Sequence, residues 1–271
     1  AQEHGLLYVV DASQTAGAFS IDMARSGIIS HAGRKEEGPS LMNFQIADIA
    51  VGSLNSVIGI LAAVNHRRNT GQGQYIDVAM MDGCVPFNSI DGASFLVSGK
   101  QPEREGERLN GGCVYDYYET KDGQYMSVGS LEPQFWERFC MAIGREDLIE
   151  GTVWPENVHE VKAQIRGIFK TKTRSEWEEV FARYDACVQP VLDLKEALLE
   201  DEQIKAREMV VEVELPLHEG VKVKQMATAV KLSECPCRYE TAGYPAGYHT
   251  REVIESLGMD YSELEKKGVF K

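Results

Sequence analysis

Cations are scarce in this 271-residue chain: 28 Lys and Arg stand against 42 Asp and Glu, a formal net charge of -14. A protein that grips nucleic acid non-specifically does so with clustered cations that displace condensed counterions, so no nucleic-acid partner is expected. Long hydrophobic runs are lacking too. Each apolar stretch is broken by polar residues before it reaches spanning length, so no membrane partner is expected, and no basic segment followed by an apolar one marks secretion. The 9 Pro and 25 Gly are not gathered into a linker, and there is no internal repeat. Paired cysteine spacing is missing: Cys84, Cys113, Cys140, Cys187, Cys235 and Cys237 are scattered, apart from one Cys-Pro-Cys. They read as buried free thiols in a reducing cytoplasm rather than as disulfides or metal ligands. What is there is ordinary for a soluble globular protein, 43% hydrophobic and 26% charged residues, in a chain long enough for one large domain or two modest ones. The acidic total leaves room for an anionic small molecule, because a few local cations or a helix N-terminus outweigh a distant field that salt screens.

Periodicity organises the chain. Residues 45–68 place Val51, Leu54, Ile58 and Leu61 on one face, predicting a long, largely buried helix. The turn NTGQGQ and a buried strand in YIDVAMMDG follow, an order that suggests an α/β layer. SGKQPEREGERLNGG is too charged and glycine-rich for a core and reads as a surface connection. Lys121-Asp122-Gly123 between aromatic and β-branched residues predicts a hairpin. Pro133 opens a helix carrying Phe135, Trp136, Phe139, Cys140 and Ile143 and stopped by Gly144. Ser175 with Glu178 predicts a capping box for the helix with Trp177 and Phe181, and Ser262 with Glu265 another near the end. VVEVELP and VKVKQMA form a second hairpin through His218-Glu219-Gly220, and Thr250 starts a further helix.

Two places in this framework suit chemistry. Asp48 stands in the first turn of the long helix, where unpaired N–H groups and the positive dipole end favour its anion. Such a carboxylate is either a nucleophile or an ordinary first-turn acid. Gly111 and Gly112 make a loop whose missing Cβ atoms admit close backbone approach, for an oxyanion or simply for a turn. Glu132, in front of Pro133, reads as an N-cap acid. His31 reads as a surface or turn histidine, and His66 with Arg67 and Arg68 as a solvated helix end.

Five stretches in one order, SGIISHAG, QIADIAVGSLNSVIGILAAVNHRRNTGQGQYIDVAMMDG, NGGCVYDYYETKDGQYMSVGSLEPQFW, DACVQPVL and GYHTREVIESLG, resemble the family III CoA-transferases, the CaiB/BaiF group that includes formyl-CoA and carnitine CoA-transferases and α-methylacyl-CoA racemase. The resemblance runs from about residue 24 onward and lacks the N-terminal CoA-binding half. It implies an α/β fold of family III CoA-transferase type, a partial Rossmann-like large domain plus a smaller α+β domain: 24–84 as the large-domain portion, 85–195 as the small domain, and 196–271 returning to the large domain. It implies Asp48 as the catalytic nucleophile, Gly111 and Gly112 as the loop over the intermediate, and Glu132 as the acid that supports a catalytic His in the racemase branch. That His matches Ala18 here. The implied partners are acyl-CoA and a carboxylic acid. CoA thioester is a substrate, no cofactor is permanently bound, no metal is needed, and a cytoplasmic homodimer is expected. A chain with part of its large domain should leave Val57 and Leu61 uncovered.

Residues 1–23 are set apart. YVVDASQTAG resembles the strand end of pyridoxal-phosphate aminotransferases and cysteine desulfurases, where an Asp, here Asp11, pairs with the pyridinium nitrogen beside Gln14. The Schiff-base lysine context and the phosphate-binding helix of that class are not visible, so this foreign N-terminal segment reads as a strand end without cofactor.

Overall fold

The long helix starts as a wide turn. In the computed structural model, which describes residues 25–41 and 44–270, Ile46–Ser53 is π-helical and continues directly into α1, Leu54–Thr70. Gly71 stops it in a left-handed conformation and donates its N–H to the Arg67 carbonyl at 2.8 Å. Residues 76–79 have no regular structure and Met80–Cys84 forms the short helix α2. The strand predicted there is thus replaced, because none of the described strands lies alongside 76–79 to complete a ladder. Packing of α2 against the π turn depends on Gly83: a Cβ there would come within 2.1 Å of Val51 Cγ1. Ala47, Val51, Met80 and Cys84 form a small buried cluster, with Ile28, Ile29 and Ile46 against it.

The expectation of a largely buried helix is corrected. Of α1 only Ala63 is buried, while Leu54, Val57, Ile58 and Leu61 expose 52–63% of their surface, since no described element packs on that face. Val57 and Leu61 are uncovered, as expected. Ile46–Thr70 is also long and apolar enough, by length and composition, to cross a membrane. The expectation that every apolar run is broken short of that length is corrected, because the polar residues inside this one are too few to interrupt it.

After α3, Asp91–Ser98, the chain builds an α+β layer. Strands β1, Asp116–Glu119, and β2, Tyr125–Val128, form the predicted hairpin, with Tyr117 opposite Ser127 and Gly123 at φ 75° in the turn. Helices α4, Pro133–Ala142, α5, Val158–Phe169, and α6, Arg174–Phe181, precede β3, Val188–Pro190, which pairs antiparallel with β2. Their apolar faces meet around Tyr118, Met126, Trp136, Phe139, Phe169, Trp177 and Phe181. Tyr118 and Phe169 stack at 5.2 Å. Each such side chain stabilises the layer by about 1.5–3 kcal/mol. The α6 capping box is made by Thr173 and Glu176, two residues ahead of the predicted Ser175 and Glu178. Thr173 is the residue with extended backbone at the boundary, the geometry that an N-cap requires.

The chain divides into two compact units between Val191 and Leu192. The second unit holds a π turn at Glu196–Glu200 and α7, Glu202–Ala206, capped by Asp201. The predicted hairpin follows as β4, Val210–Glu214, and β5, Lys222–Met226, and then α8, Thr250–Ser256, and α9, Tyr261–Lys266. The cap of α9 is Asp260, which accepts from the Glu263 N–H, not Ser262. None of the six cysteines is in a disulfide; Cys84, Cys113 and Cys140 are buried as expected, whereas Cys187, Cys235 and Cys237 are exposed.

Candidate functional site

Asp48 sits in the first turn of the π-helical segment, flanked by Ala47 and Val51, both fully buried. Its Oδ2 is sealed from solvent and has no hydrogen-bond partner among the described residues. The π turn explains part of this. The Ser53 hydroxyl donates to the Asp48 carbonyl at 3.0 Å, an i+5 reach that holds the widened turn from inside and leaves the carboxylate uncommitted. Widened turns of this kind recur at functional sites. A carboxylate oxygen without a donor costs about 1–3 kcal/mol or more, and it keeps a lone pair free to attack.

Gly111 and Gly112 lie in a different local network. Gly111 is buried, adopts φ 102°, and its carbonyl accepts from Lys162 Nζ at 2.7 Å. At Gly112 a Cβ would fall 2.4 Å from the Gly106 carbonyl carbon and 2.6 Å from Glu107 N, so only glycine lets the loop fold back on residues 106–107. The Gly112 N–H donates to the Glu107 carbonyl at 3.0 Å. That amide is therefore engaged within the loop rather than aimed at an oxyanion.

The anchor of this network is Asp116, 8% exposed. Its Oδ1 accepts from Arg34 Nη2 at 3.0 Å and from the Tyr117 N–H at 2.9 Å. Its Oδ2 lies 2.8 Å from Lys162 Nζ and 3.2 Å from Arg166 Nη2. Burial pushes the Asp116 carboxyl upward, but the hydrogen bonds from Arg34 and Lys162 outweigh it and hold the group below the usual carboxylate range. Arg34 also reaches Glu105 Oε1 at 2.8 Å. A cavity of about 290 Å³ opens between Arg34, Gly111, Asp116 and Ser127. Sequence reasoning missed this cluster. Its one signal was Lys162, which shares the i, i+3, i+7 stripe of α5 with Ile165 and Phe169, all buried.

The remaining candidates are dispersed. Glu132 is exposed at the N-cap position of α4 and its side chain makes no capping bond. His31 lies in a turn, one of the two expectations, and is half-buried: its Nε2 lies 3.1 Å from Asp91 Oδ2 and its Nδ1 3.2 Å from Ser30 Oγ, on the wall of a mostly apolar cavity of about 520 Å³ that Val85, Phe95 and Leu96 also line. Asp11, Gln14 and Ala18 lie outside the described residues. Among the described residues Asp48 bonds to none of Gly111, Gly112 and Glu132, and no three His, Cys, Asp or Glu side chains converge to hold a metal ion.

Known proteins resemble this chain. The sequence model of CoA-transferase family III matches residues 11–250, so the match takes in residues 11–23 of the segment set apart above. Alpha-methylacyl-CoA racemase of Homo sapiens is 31% identical over 251 residues, 89% of this chain and 62% of that protein. Succinate–glutarate CoA-transferase of Agrobacterium fabrum is 27% identical over 248 residues, 89% of this chain and 61% of that protein. The chain thus spans about three fifths of these relatives' length. A crystal structure of a CAIB/BAIF family protein from Brucella suis superposes with a TM-score of 0.72 at 22% identity, covering 93% of this chain and 66% of that one.

Proposed function

The chain belongs to CoA-transferase family III, and from that premise we propose that it moves CoA between an acyl-CoA and a carboxylic acid through an aspartyl intermediate on Asp48. The observation that carries the reading is the buried Asp48 Oδ2 without a hydrogen-bond partner among the described residues. The Asp48 carboxylate attacks the thioester carbonyl, and the C–S bond breaks to release CoA thiolate and leave a mixed anhydride. The thiolate then attacks the aspartyl carbonyl, expelling the donor's acid as its carboxylate and leaving CoA on Asp48. The acceptor carboxylate repeats the two exchanges in reverse, which frees Asp48 and the new acyl-CoA. No proton or electron is consumed at any step, so the protein's task is to hold reactants in register. On this reading the Gly111–Gly112 loop covers the intermediate, no resident cofactor takes part, and the working form is a cytoplasmic homodimer.

Incubation with acyl-CoA and hydroxylamine tests it: a hydroxamate is expected on Asp48 by peptide mass, and Asp48→Asn should remove it and slow transfer by several orders of magnitude. An unmodified Asp48 in an active protein would end the proposal. A second reading, 2-methylacyl-CoA racemisation, draws on the 31% and 30% identity to the human and mouse racemases. It needs a second group to return the proton on the opposite face, and the position matched to that His is Ala18. Incorporation of deuterium at the α-carbon in heavy water, without CoA exchange, would favour it.

A further inference from the structure

Among the described residues no hydrogen bond joins Asp48 to the Gly111–Gly112 loop, yet one short stretch of chain, residues 27–35, contacts the surroundings of both. At its start, Ile28 and Ile29 pack against the cluster of Ala47, Val51, Met80 and Cys84, whose first two members share the π-helical segment of Asp48. Its later residues hold the glycine loop. The Ser30 carbonyl accepts from Arg104 Nη1 at 3.1 Å, and the His31 carbonyl from Asn110 Nδ2 at 3.0 Å. The Lys35 N–H donates to Glu105 Oε2 at 3.0 Å. Between them Arg34 spans two carboxylates, Glu105 at 2.8 Å and Asp116 at 3.0 Å.

We propose that Arg34 is a positioning residue: through Glu105 and Asp116 it locks the 27–35 segment to the glycine loop, and so sets where that loop stands relative to Asp48. The inference rests on Asp48 being the nucleophile. Three observations carry it. The planar fork of Arg34 presents Nη1 to Glu105 and Nη2 to Asp116 in one fixed geometry; a lysine ammonium in the same place is a single point charge without that fixed fork. Gly33, at φ 95°, could not carry a Cβ, which would fall 2.4 Å from the Gly38 carbonyl oxygen, so the turn that aims Arg34 is sterically fixed. On the far side of Asp116, Lys162 holds both that carboxylate and the Gly111 carbonyl, so a displacement of Arg34 is felt one residue from Gly112. Removal of Arg34 leaves Asp116 with Lys162 and Arg166, which keeps the buried charge paired and the fold intact.

The experiment compares Arg34→Gln and Arg34→Lys with the unaltered chain and with Arg138→Gln, which removes an exposed ion pair to Asp185. Amide hydrogen exchange should speed up in residues 103–112 of both Arg34 variants, more in Gln than in Lys, with Tyr118 and Met126 in the sheet unchanged. In transfer assays kcat should fall about ten- to a hundred-fold with KM for acyl-CoA within about two-fold, part of the loss recovered in Arg34→Lys, and Arg138→Gln should match the parent. Unchanged exchange in 103–112 overturns the inference, as does a kcat equal to the parent's. If Asp48→Asn retains full activity, the nucleophile reading fails instead, and the exchange data still decide whether Arg34 holds the loop.

Discussion

Lys162 puts an ammonium where the spacing of α5 demands an apolar side chain, and the consequence is a charge whose removal leaves partners behind. Lys162→Met would strand the Gly111 carbonyl and remove the cation nearest Asp116 Oδ2. Asp116 keeps Arg34 and Arg166, so the loss is that of the stranded buried carbonyl, about 1–3 kcal/mol, and urea denaturation of the variant should show a loss of that order. Asp116 adds a pH dependence. Its carboxyl is held below the ordinary 3.8, so the stability it contributes is complete above about that value and is lost as pH falls through the depressed one. Acid titration of the melting temperature should therefore steepen below pH 3.8, and Asp116→Asn should flatten that limb. Gly112→Ala tests the loop: with backbone atoms 2.4–2.7 Å from the added Cβ, the loop must open, and exchange of the Gly112 amide should rise sharply. At this scale the sequence was legible at Asp48, because first-turn placement needs only a helix boundary. It was silent on Arg34 and Glu105, whose pairing spans 71 positions and follows from the fold alone.

Elements were legible where local chemistry dominates. The hairpin of β1 and β2 follows from Lys121-Asp122-Gly123, since Gly123 at φ 75° takes the left-handed turn position. The start of α4 follows from Pro133, whose missing N–H has no role in a first turn. Caps were misplaced by about two residues at α6 and α9 because Thr173, Ser175, Asp260 and Ser262 all carry capping side chains, and only the backbone angle selects among them. The strand expected in YIDVAMMDG was not legible either, since a strand is defined by a partner. The contact of α2 with the π turn yields a prediction of its own. Gly83→Ala would drive a methyl into Val51, which is fully buried. Overpacking of this kind costs about 1–3 kcal/mol, measurable as a lower urea midpoint, and the displaced Val51 should also lower transfer through Asp48.

For the molecule as a whole, the open face of α1 decides behaviour in solution. Ile58 and Leu61 are each 63% exposed beside Leu54 and Val57, an apolar stripe of the kind that marks an interaction surface. Sedimentation should show species heavier than the 30.2 kDa chain, and Ile58→Glu with Leu61→Glu should shift the distribution toward monomer. A homogeneous monomer before substitution would contradict this. The same uncovered face explains why burial of the helix was misread: periodicity says which side chains share a face, whereas what covers that face depends on elements elsewhere.

The aromatic core carries a spectroscopic consequence. All three tryptophans of the chain, Trp136, Trp154 and Trp177, fall within 42 positions of one another, and two of them are buried with indole N–H groups bonded to the Leu148 and Phe169 carbonyls. Tryptophan emission, excited selectively over tyrosine, therefore samples one layer of one unit and is blind to the helix of Asp48 and to residues 192–271. Fluorescence and far-ultraviolet circular dichroism, followed through the same denaturant series, separate the melting of that layer from the melting of everything else. Coincident midpoints would mark a single cooperative transition, and a dichroism change that precedes the red shift of emission would mean that the Asp48 helix or the second unit lets go first.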